Sequence, residues 1–244
     1  MTTEDAKKRL CLALDVQSIS DALRLVEILR DRVSLFKIGF QLFTKEGPSA
    51  VAAVQSLGGR VFLDLKYHDI PNTVAGAAAE AVNMGVYMFN VHACGGRQMM
   101  ETAVEAAASQ SIKNNTPRPV IIAVTVLTSL NNGMLANELN VNKTLSQQVT
   151  HLASLAKASG LDGVVASPQE ITAIRGCCGC GFTIVTPGIR PPWINESDDQ
   201  KRTATPAEAI GLGADYIVVG RPILKAEDPA AAADKILRDI AQLR

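Results

Sequence analysis

The feature that most constrains the fold of this chain is a repeated alternation of short apolar runs with longer stretches of helical character. Eight runs are predicted to be strands, at residues 10–15, 35–38, 61–66, 87–92, 120–126, 163–167, 183–186 and 216–220. Most of them are continuously apolar, as is typical of parallel strands that are covered on both faces. Eight strand-then-helix units in one domain favour a closed barrel over an open sheet.

Proline and glycine mark the predicted helix ends. Pro48 suits the first turn of a helix that Gly58 ends, and Pro206 follows the candidate cap Thr205 in a helix that Gly213 ends. The length of 244 residues is close to the roughly 250 typical of an α/β barrel. We therefore predict a single α/β domain over residues 1–244, a (β/α)8 TIM barrel, with a frayed lead at residues 1–8.

Composition excludes several classes of protein. Lys plus Arg and Asp plus Glu both number 24, so no broad basic field favours a nucleic-acid partner. Hydrophobic residues make up 47%, which is enough for a large core. The first residues lack the apolar run of a signal peptide, and no stretch approaches the ~18 apolar residues of a membrane span. Five cysteines do not suggest a disulfide framework, so a reducing cytoplasm is the predicted location.

Three of the cysteines, Cys177, Cys178 and Cys180, stand together in the sequence GCCGCG. A metal or redox site is one interpretation. A zinc site needs about four ligands, and no matching Cys or His pair occurs elsewhere at a recognised spacing. A glycine-rich turn with small thiols is therefore the favoured interpretation, and no metal site is predicted.

Two connections are longer than the others, at about residues 128–143 and at residues 188–205. Each follows the carboxyl end of a predicted strand, which in a barrel is the face that binds ligands. Long loops on that face are candidate lids, although the second could also be a solvated, charged excursion.

The most informative segment covers residues 62–73 and reads FLDLKYHDIPNT. Alternate side chains of a strand share a face, so Asp64 and Lys66 lie on one side and Leu63 and Leu65 on the other. In a barrel the leucines would pack against helices, and the two charges would point inward at the ligand-binding end. A structural ion pair is the alternative, but such buried pairs stabilise folds weakly.

More charges are predicted to converge on this end. Asp15 ends the first strand, Lys37 lies near the end of the second, and Asp69 follows Lys66 closely. Any one of these charges alone would be explained by a solvated strand end. Their shared position at successive strand ends favours an active site of alternating carboxylates and ammonium groups.

A phosphate site is predicted at the last two strands, whose loops commonly bind phosphate in such barrels. Gly220 would let a backbone N–H approach an anion, and Arg221 offers a permanently charged fork. The seventh strand ends in TPGIR, which adds Pro187 and a second arginine, Arg190.

With these motifs in place, nearly the whole chain resembles the orotidine 5′-monophosphate decarboxylase family, in its bacterial branch. The segment at residues 62–73 matches the family signature D-x-K-x-x-D-I-x-x-T, and the segments NVHA, VLTS, TPGIR and VGRP also fit. The resemblance implies decarboxylation of orotidine 5′-monophosphate to UMP in pyrimidine biosynthesis, without cofactor or metal.

The resemblance also implies roles for individual residues. Lys66 would protonate C6 of the pyrimidine, flanked by the carboxylates of Asp64 and Asp69. Asp69 and Thr73 would reach the neighbouring site across a homodimer interface. The remaining contacts to the nucleotide would come from Asp15, Lys37, Thr128, Pro187, Arg190, Gln200, Gly220 and Arg221.

Two other functions remain open from the sequence. One is a Mg²⁺-dependent sugar-phosphate lyase of related barrel type, which shares D-x-K-x-x-D but uses its carboxylates around the metal. The other is a non-catalytic barrel that binds a nucleotide phosphate; retention of Lys66 with Asp64 and Asp69 argues against it. An oligomerisation scaffold explains none of the strand-end charges.

Overall fold

The computed structural model describes residues 1–193 and 203–242. Its centre is a closed barrel in which eight parallel strands pair in chain order, β8 pairing with β1. The strands are β1 (Leu10–Ala13), β2 (Leu35–Gly39), β3 (Val61–Tyr67), β4 (Met88–His92), β5 (Val120–Val124), β6 (Gly163–Val165), β7 (Thr183–Thr186) and β8 (Tyr216–Val219). The predicted single-domain (β/α)8 barrel is confirmed.

Helices connect the strands and cover the outside of the barrel. They are α1 (Thr3–Lys7), α2 (Ile19–Leu29), α3 (Phe40–Glu46), α4 (Pro48–Ser56), α5 (Pro71–Asn83), α6 (Gly96–Asn114), α7 (Asn132–Asn137), α8 (Leu145–Ala158), α9 (Ile171–Cys178), α10 (Pro206–Gly211), α11 (Arg221–Leu224) and α12 (Pro229–Ala241). Short 3-10 turns cover Ala93–Gly95 and Pro168–Glu170. None of the described helices is both long and apolar enough to cross a membrane.

The helix ends follow the predicted punctuation. Pro48 opens α4, and Pro206 opens α10 after the cap Thr205. The Thr205 side chain accepts from the backbone N–H of Glu208, whose carboxylate accepts in turn from the Thr205 N–H. This reciprocal capping box satisfies two N–H groups that a helix start would otherwise leave without partners. The helix that starts there contacts β8 and α12.

The N-terminal lead corrects one prediction. Residues 1–8 were expected to be frayed, but Thr3–Lys7 forms a helix that Thr2 caps through the Asp5 N–H. Ala6 is completely buried, and α1 packs on α12. The apolar contact and the cap together explain why this short segment is ordered.

The strands alternate as predicted between a barrel interior and a helix-covered exterior. Leu63 is fully buried in the outer core, with Phe36 and Phe89 of the neighbouring strands. A separate apolar layer fills the middle of the barrel: Cys11, Leu35, Phe62, Met88, Ile122 and Val185. Below it, the hydroxyl groups of Tyr87 and Tyr216 lie 3.3 Å apart. The barrel is therefore closed at its amino end, and its charged residues lie above an apolar floor.

The two long connections differ in structure. The first contains α7, which Asn131 caps by accepting from the Met134 N–H. The second begins with a parallel bridge between Ile189 and Ala204. Residues 194–202 of the predicted lid lie outside the described part of the chain.

Candidate active site

A cavity of about 300 Å³ opens at the carboxyl ends of the strands. This volume is at the lower end of the range for small-molecule sites, about 300–1,000 Å³. Nine of the predicted site residues line it: Asp15, Lys37, Asp64, Lys66, Thr128, Pro187, Arg190, Gly220 and Arg221. The structure therefore brings together in one cavity residues from β1, β2, β3, β5, β7 and β8 or from the loops that follow them.

Two of the described predicted residues do not line this cavity. Asp69 and Thr73 are exposed beyond the end of β3, and Asp69 Oδ1 accepts from the backbone N–H of Ile70 at 2.6 Å. Within one chain, Asp69 therefore does not flank Lys66. Gln200 lies outside the described residues.

The charged side chains form a continuous chain of ion pairs. Lys37 Nζ lies 3.2 Å from Asp15 Oδ1 and 3.3 Å from Asp64 Oδ2. Lys66 Nζ lies 2.7 Å from the other oxygen, Asp64 Oδ1. The order Asp15, Lys37, Asp64, Lys66 alternates in sign, as the sequence predicted. Each oxygen of Asp64 thus faces its own ammonium group.

Burial and pairing act in opposite directions on the protonation of these groups. Burial alone would raise the pKa of Asp64, but the charges of Lys37 and Lys66, with hydrogen bonds from Lys66 and Asn90, outweigh it and hold the pKa below its ordinary value. Burial alone would lower the pKa of Lys37, but Asp64 and Asp15 outweigh it and raise that pKa. Both groups are therefore charged at neutral pH.

Gly39, at the end of β2, leaves room for the Lys37 ammonium group. A Cβ atom at this position would lie 3.0 Å from Lys37 Nζ and 3.7 Å from Asp15 Oδ1. A side chain there would press on the ion pair, so glycine leaves the space that the Lys37 ammonium group occupies.

Lys66 has an unusual backbone conformation. Its φ angle is +46°, in the left-handed region; Asn115 and Asn140 are the other described residues besides glycine that have positive φ. Asparagine tolerates this region, whereas for a lysine it costs roughly 1–2 kcal/mol. Such conformations persist where surrounding contacts impose them, and they cluster at functional sites.

Asn90 of β4 was missed as a site residue by sequence reasoning, although its segment NVHA contributes to the family resemblance. It donates from Nδ2 to Asp64 Oδ1 at 2.7 Å and accepts from the Lys66 backbone N–H at 2.8 Å. The available signal was a single polar residue inside the apolar run Met88–His92. Buried amides in such runs have hydrogen-bond partners, and here the partners are the two central charged residues.

The two arginines line the cavity from the last two strands. Arg190 follows β7 and Arg221 follows Gly220 at the end of β8. Backbone hydrogen bonds from Arg190 N to Ala204 O at 2.9 Å and from Ala204 N to Gly188 O at 3.2 Å tie the start of the second long connection to its end. Apolar side chains, among them Val126, Leu127 and Leu224, complete the lining. The cavity thus combines the charged residues of β1–β3 with the two arginines that follow β7 and β8.

The cysteine segment forms a turn remote from this cavity. Cys177 and Cys178 end α9, with their Sγ atoms 3.5 Å apart, and the thiols of both and of Cys180 are free. The Arg175 guanidinium donates to the carbonyl of Gly179 at 3.0 Å and holds the turn. In the part of the chain that the structure describes, no three His, Cys, Asp or Glu side chains are grouped so that they could hold a metal ion.

Comparison with known proteins gives a consistent result. The family model described as "Orotidine 5'-phosphate decarboxylase / HUMPS family" matches residues 8–236. A protein of Geobacter sp. (strain M21) named orotidine 5′-phosphate decarboxylase is 50% identical over 240 residues, 98% of this chain and 99% of that protein. One of the same name from Syntrophotalea carbinolica is 51% identical over 237 residues, 97% of this chain and 96% of that protein.

A solved structure agrees with these sequence relatives. The crystal structure of orotidine 5′-phosphate decarboxylase from Lactobacillus acidophilus superposes with a TM-score of 0.83 at 36% identity, covering 96% of this chain and 99% of that one.

Proposed function

The chain belongs to the orotidine 5′-phosphate decarboxylase/HUMPS family, and on that premise we propose that Lys66 is the proton donor in its conversion of orotidine 5′-phosphate to UMP. The chain is a carboxy-lyase of pyrimidine biosynthesis. The observation that carries the role of Lys66 is its ammonium group, which lies 2.7 Å from a carboxylate and lines a cavity that two arginines also line.

The chemistry requires a fixed cation beside one carbon atom. When the bond from C6 to the carboxylate breaks, its electron pair stays on C6 in the plane of the ring, where the π system cannot delocalise it. Carbon dioxide leaves, and a proton from Lys66 Nζ forms the new C6–H bond. The neutral amine then regains a proton from water.

Electrostatic preorganisation supplies part of the barrier reduction. Two unit charges about 4 Å apart interact by roughly 4 kcal/mol at an effective dielectric of about 20. Because Asp64 already holds the Lys66 ammonium, little reorganisation is needed as the negative charge develops. Asp64 would also lie near the departing carboxylate, whose charge is lost in the reaction.

The remaining contacts divide the nucleotide between the two ends of the cavity. Asp15 and Lys37 would hold the ribose, and Thr128 and Pro187 would contact the pyrimidine. The phosphate would be bound by Arg190, Gln200, Gly220 and Arg221. Binding energy from this remote phosphate would position the ring at Lys66.

We also propose that the enzyme acts as a homodimer in the cytoplasm. Asp69 and Thr73 are exposed beyond the end of β3, near the exposed side chain of Ile70. An exposed aliphatic residue between two polar ones suits a subunit contact through which Asp69 reaches the partner's Lys66. The free thiols of the five cysteines are compatible with a reducing compartment.

The chemistry of the site does not favour the Mg²⁺-dependent alternative. Both oxygens of Asp64 face ammonium groups, and magnesium sites are built from carboxylates that remain available to the metal.

The test is a spectrophotometric assay with orotidine 5′-phosphate, with and without EDTA. We expect loss of orotidylate absorbance at the same rate in both. No turnover of orotidine 5′-phosphate, with Mg²⁺-dependent cleavage of a sugar phosphate that EDTA abolishes, would support the sugar-phosphate lyase instead. Saturable binding of UMP without turnover of orotidine 5′-phosphate would contradict the proposed activity and support a barrel that only binds nucleotides.

A further inference from the structure

Asn90 lies in the middle of β4 and its side chain points into the barrel. Its exposed fraction is 0%, and its neighbours in the strand are Met88, Phe89 and Val91. A primary amide at such a place costs stability unless its oxygen and its nitrogen both have partners. Its two partners are the residues on which the proposed chemistry depends.

The orientation of the amide follows from the chemistry of those partners. The Lys66 backbone N–H is only a donor, so the atom 2.8 Å from it is the Asn90 oxygen. The Asp64 carboxylate is only an acceptor when ionised, so the atom 2.7 Å from its Oδ1 is the Asn90 nitrogen. One side chain therefore binds the backbone of Lys66 and the carboxylate of Asp64 together.

This bridge replaces part of the strand pairing. Leu63 pairs with Phe89, and the next pair in register is Tyr67 with Val91. The stretch of β3 between these pairs is longer than the matching stretch of β4, which is the arrangement of a β-bulge. Lys66 lies inside the bulge at φ +46°. Its N–H is bound by the Asn90 side chain instead of by a backbone carbonyl of β4.

We propose that Asn90 is a positioning residue for this reaction, fixing the left-handed backbone of Lys66 and the orientation of the Asp64 carboxylate with one amide. The inference rests on the proposed role of Lys66 as proton donor. Asn90 touches neither the substrate nor the transferred proton in this assignment. It acts through the two residues that do.

The geometry explains why both contacts matter. Asp64 Oδ1 accepts from Lys66 Nζ and from Asn90 Nδ2, each at 2.7 Å. With the amide present, the carboxylate directs Oδ1 to Lys66 and Oδ2 to Lys37. Without it, the carboxylate can rotate and the bulge can relax, so the ammonium group loses its fixed position. Displacement of a reacting group by about 1 Å can cost on the order of 100-fold in rate.

Removal of the Asn90 amide should also change how kcat/KM depends on pH on the acid side. The charged groups that face Asp64 are Lys37 from β2, Lys66 from β3 and, through Lys37, Asp15 from the end of β1; Cys11 lies in the apolar layer beneath. The Asn90 hydrogen bond is one of the contacts that lower the pKa of Asp64. Without that bond the carboxylate protonates at a higher pH.

The first experiment compares Asn90→Ala with the wild type. We expect kcat to fall on the order of 100-fold, with a small change in KM, because the phosphate contacts on β7 and β8 are untouched. The acid limb of kcat/KM should move to higher pH. Wild-type kcat with an unmoved acid limb would overturn the proposal. If Asn90→Ala does not fold, the same criteria apply to Asn90→Ser, which keeps a small polar group.

Val91→Ala is the matched control. Val91 is the next residue of β4, is equally buried, and packs in the outer core away from the charges. We expect it to lower stability and leave kcat and the acid limb unchanged. A similar loss of kcat and shift of the acid limb in both variants would mean that Asn90 acts only through the stability of β4.

Asn90→Asp separates positioning from general packing. An aspartate keeps the acceptor for Lys66 N–H but places a second carboxylate against Asp64. When the two carboxyl groups share a proton, that proton restores the missing donor. The other titratable groups near this pair are Lys66, Lys37 and His92, at the end of β4. Because the shared proton forms more readily at low pH, the ratio of kcat for Asn90→Asp to kcat for Asn90→Ala should rise as the pH falls. A ratio independent of pH would overturn the proposal.

Lys66→Ala, measured in parallel, keeps the two hypotheses distinct. If Lys66→Ala retains turnover, the proposed function of Lys66 fails whatever Asn90 does. If Lys66→Ala is inactive and the Asn90 variants behave like the wild type, only the positioning role fails.

Discussion

Lys66 Nζ and Asp64 Oδ1 are 2.7 Å apart, although the two residues are separated by a single position in β3. Alternate side chains of a strand share one face, so the flexible lysine can reach the carboxylate. Lys66 also lies in the bulge of β3 and has a left-handed backbone conformation. The acid that is proposed to donate the proton and the group that holds it thus belong to one local structure.

Replacement of Lys66 by alanine should abolish turnover and leave the fold intact. We expect kcat to fall at least about a thousandfold, because a general acid and a fixed positive charge are lost together. The fold should persist because Asp64 keeps Lys37 and Asn90 as partners. Steady-state kinetics and circular dichroism measure the two effects. Lys113→Ala, on the exposed face of α6, is the control; near-normal turnover by Lys66→Ala would remove the assigned role.

Replacement of Lys37 by methionine should lower stability across a defined range of pH. It leaves the buried Asp64 with one ammonium partner, and breaking a buried pair in this way costs about 3 kcal/mol. The pKa of Asp64 is lowered, so the contribution of the pair is present above the unfolded value of about 3.9 and is lost as the pH falls through the folded value. The pKa of Lys37 is raised, so the contribution is complete below about 10.4 and is lost as the pH rises through the folded value.

Urea denaturation at a series of pH values tests this prediction. The difference in free energy of unfolding between wild type and Lys37→Met should be constant from about pH 5 to about pH 10 and shrink below about pH 4. Lys8→Met removes the surface pair with Asp5 and should have little effect at any pH. A difference that grows on acidification would show that Lys37 does not stabilise the ionised form of Asp64.

Mixing two inactive variants should restore activity if Asp69 acts across a dimer interface. Lys66→Ala and Asp69→Asn each spoil every site of their own homodimer. A hybrid dimer would have one site with both defects and one with neither, so an equal, freely exchanging mixture should recover roughly a quarter of wild-type activity. Refolding the variants together and separately provides the comparison. No recovery, with exchange verified by mass, would place Asp69 in its own subunit's site or in none.

Replacement of Arg221 by alanine should weaken phosphate recognition selectively. Loss of one charge-assisted contact typically costs about 1.5–3 kcal/mol, or roughly 10- to 100-fold in affinity for UMP. Affinity for uridine should be unchanged, since it has no phosphate. Calorimetric titration measures both, with Arg238→Ala on α12 as the control. Equal losses for UMP and uridine would mean that Arg221 acts on the shape of the cavity instead.

The strands were predictable because their apolar runs are continuous, and β7 has the predicted bounds. The run at residues 120–126 was expected to be one strand, but β5 ends at Val124, the last residue of β5 that pairs with β6, and the Thr125 hydroxyl just beyond it donates to the Val165 carbonyl. Helix α7 was predicted to be loop because six residues give little periodicity. Local side-chain hydrogen bonds of this kind cannot be predicted from the pattern of apolar residues.

The charged part of the site was predictable for a related reason. Asp15 follows β1, Lys37 lies within β2, and Asp64 and Lys66 lie in the second half of β3. A parallel barrel brings the carboxyl ends of its strands together. Asn90 was not found, because its role depends on the register between β3 and β4 and on the bulge at Lys66. A subunit contact through Asp69 depends on a second chain, which no pattern within one sequence specifies.

At position 66, the residue that would give the most stable backbone differs from the residue that the reaction needs. Glycine adopts φ near +46° without a clash, so Lys66→Gly should be more stable than Lys66→Ala by about 1 kcal/mol, although both lack the ammonium group. If selection for turnover were relaxed, drift at this site would favour glycine. A lysine in a backbone conformation better suited to glycine thus lowers the stability of the fold at one residue and provides the ammonium group for the reaction.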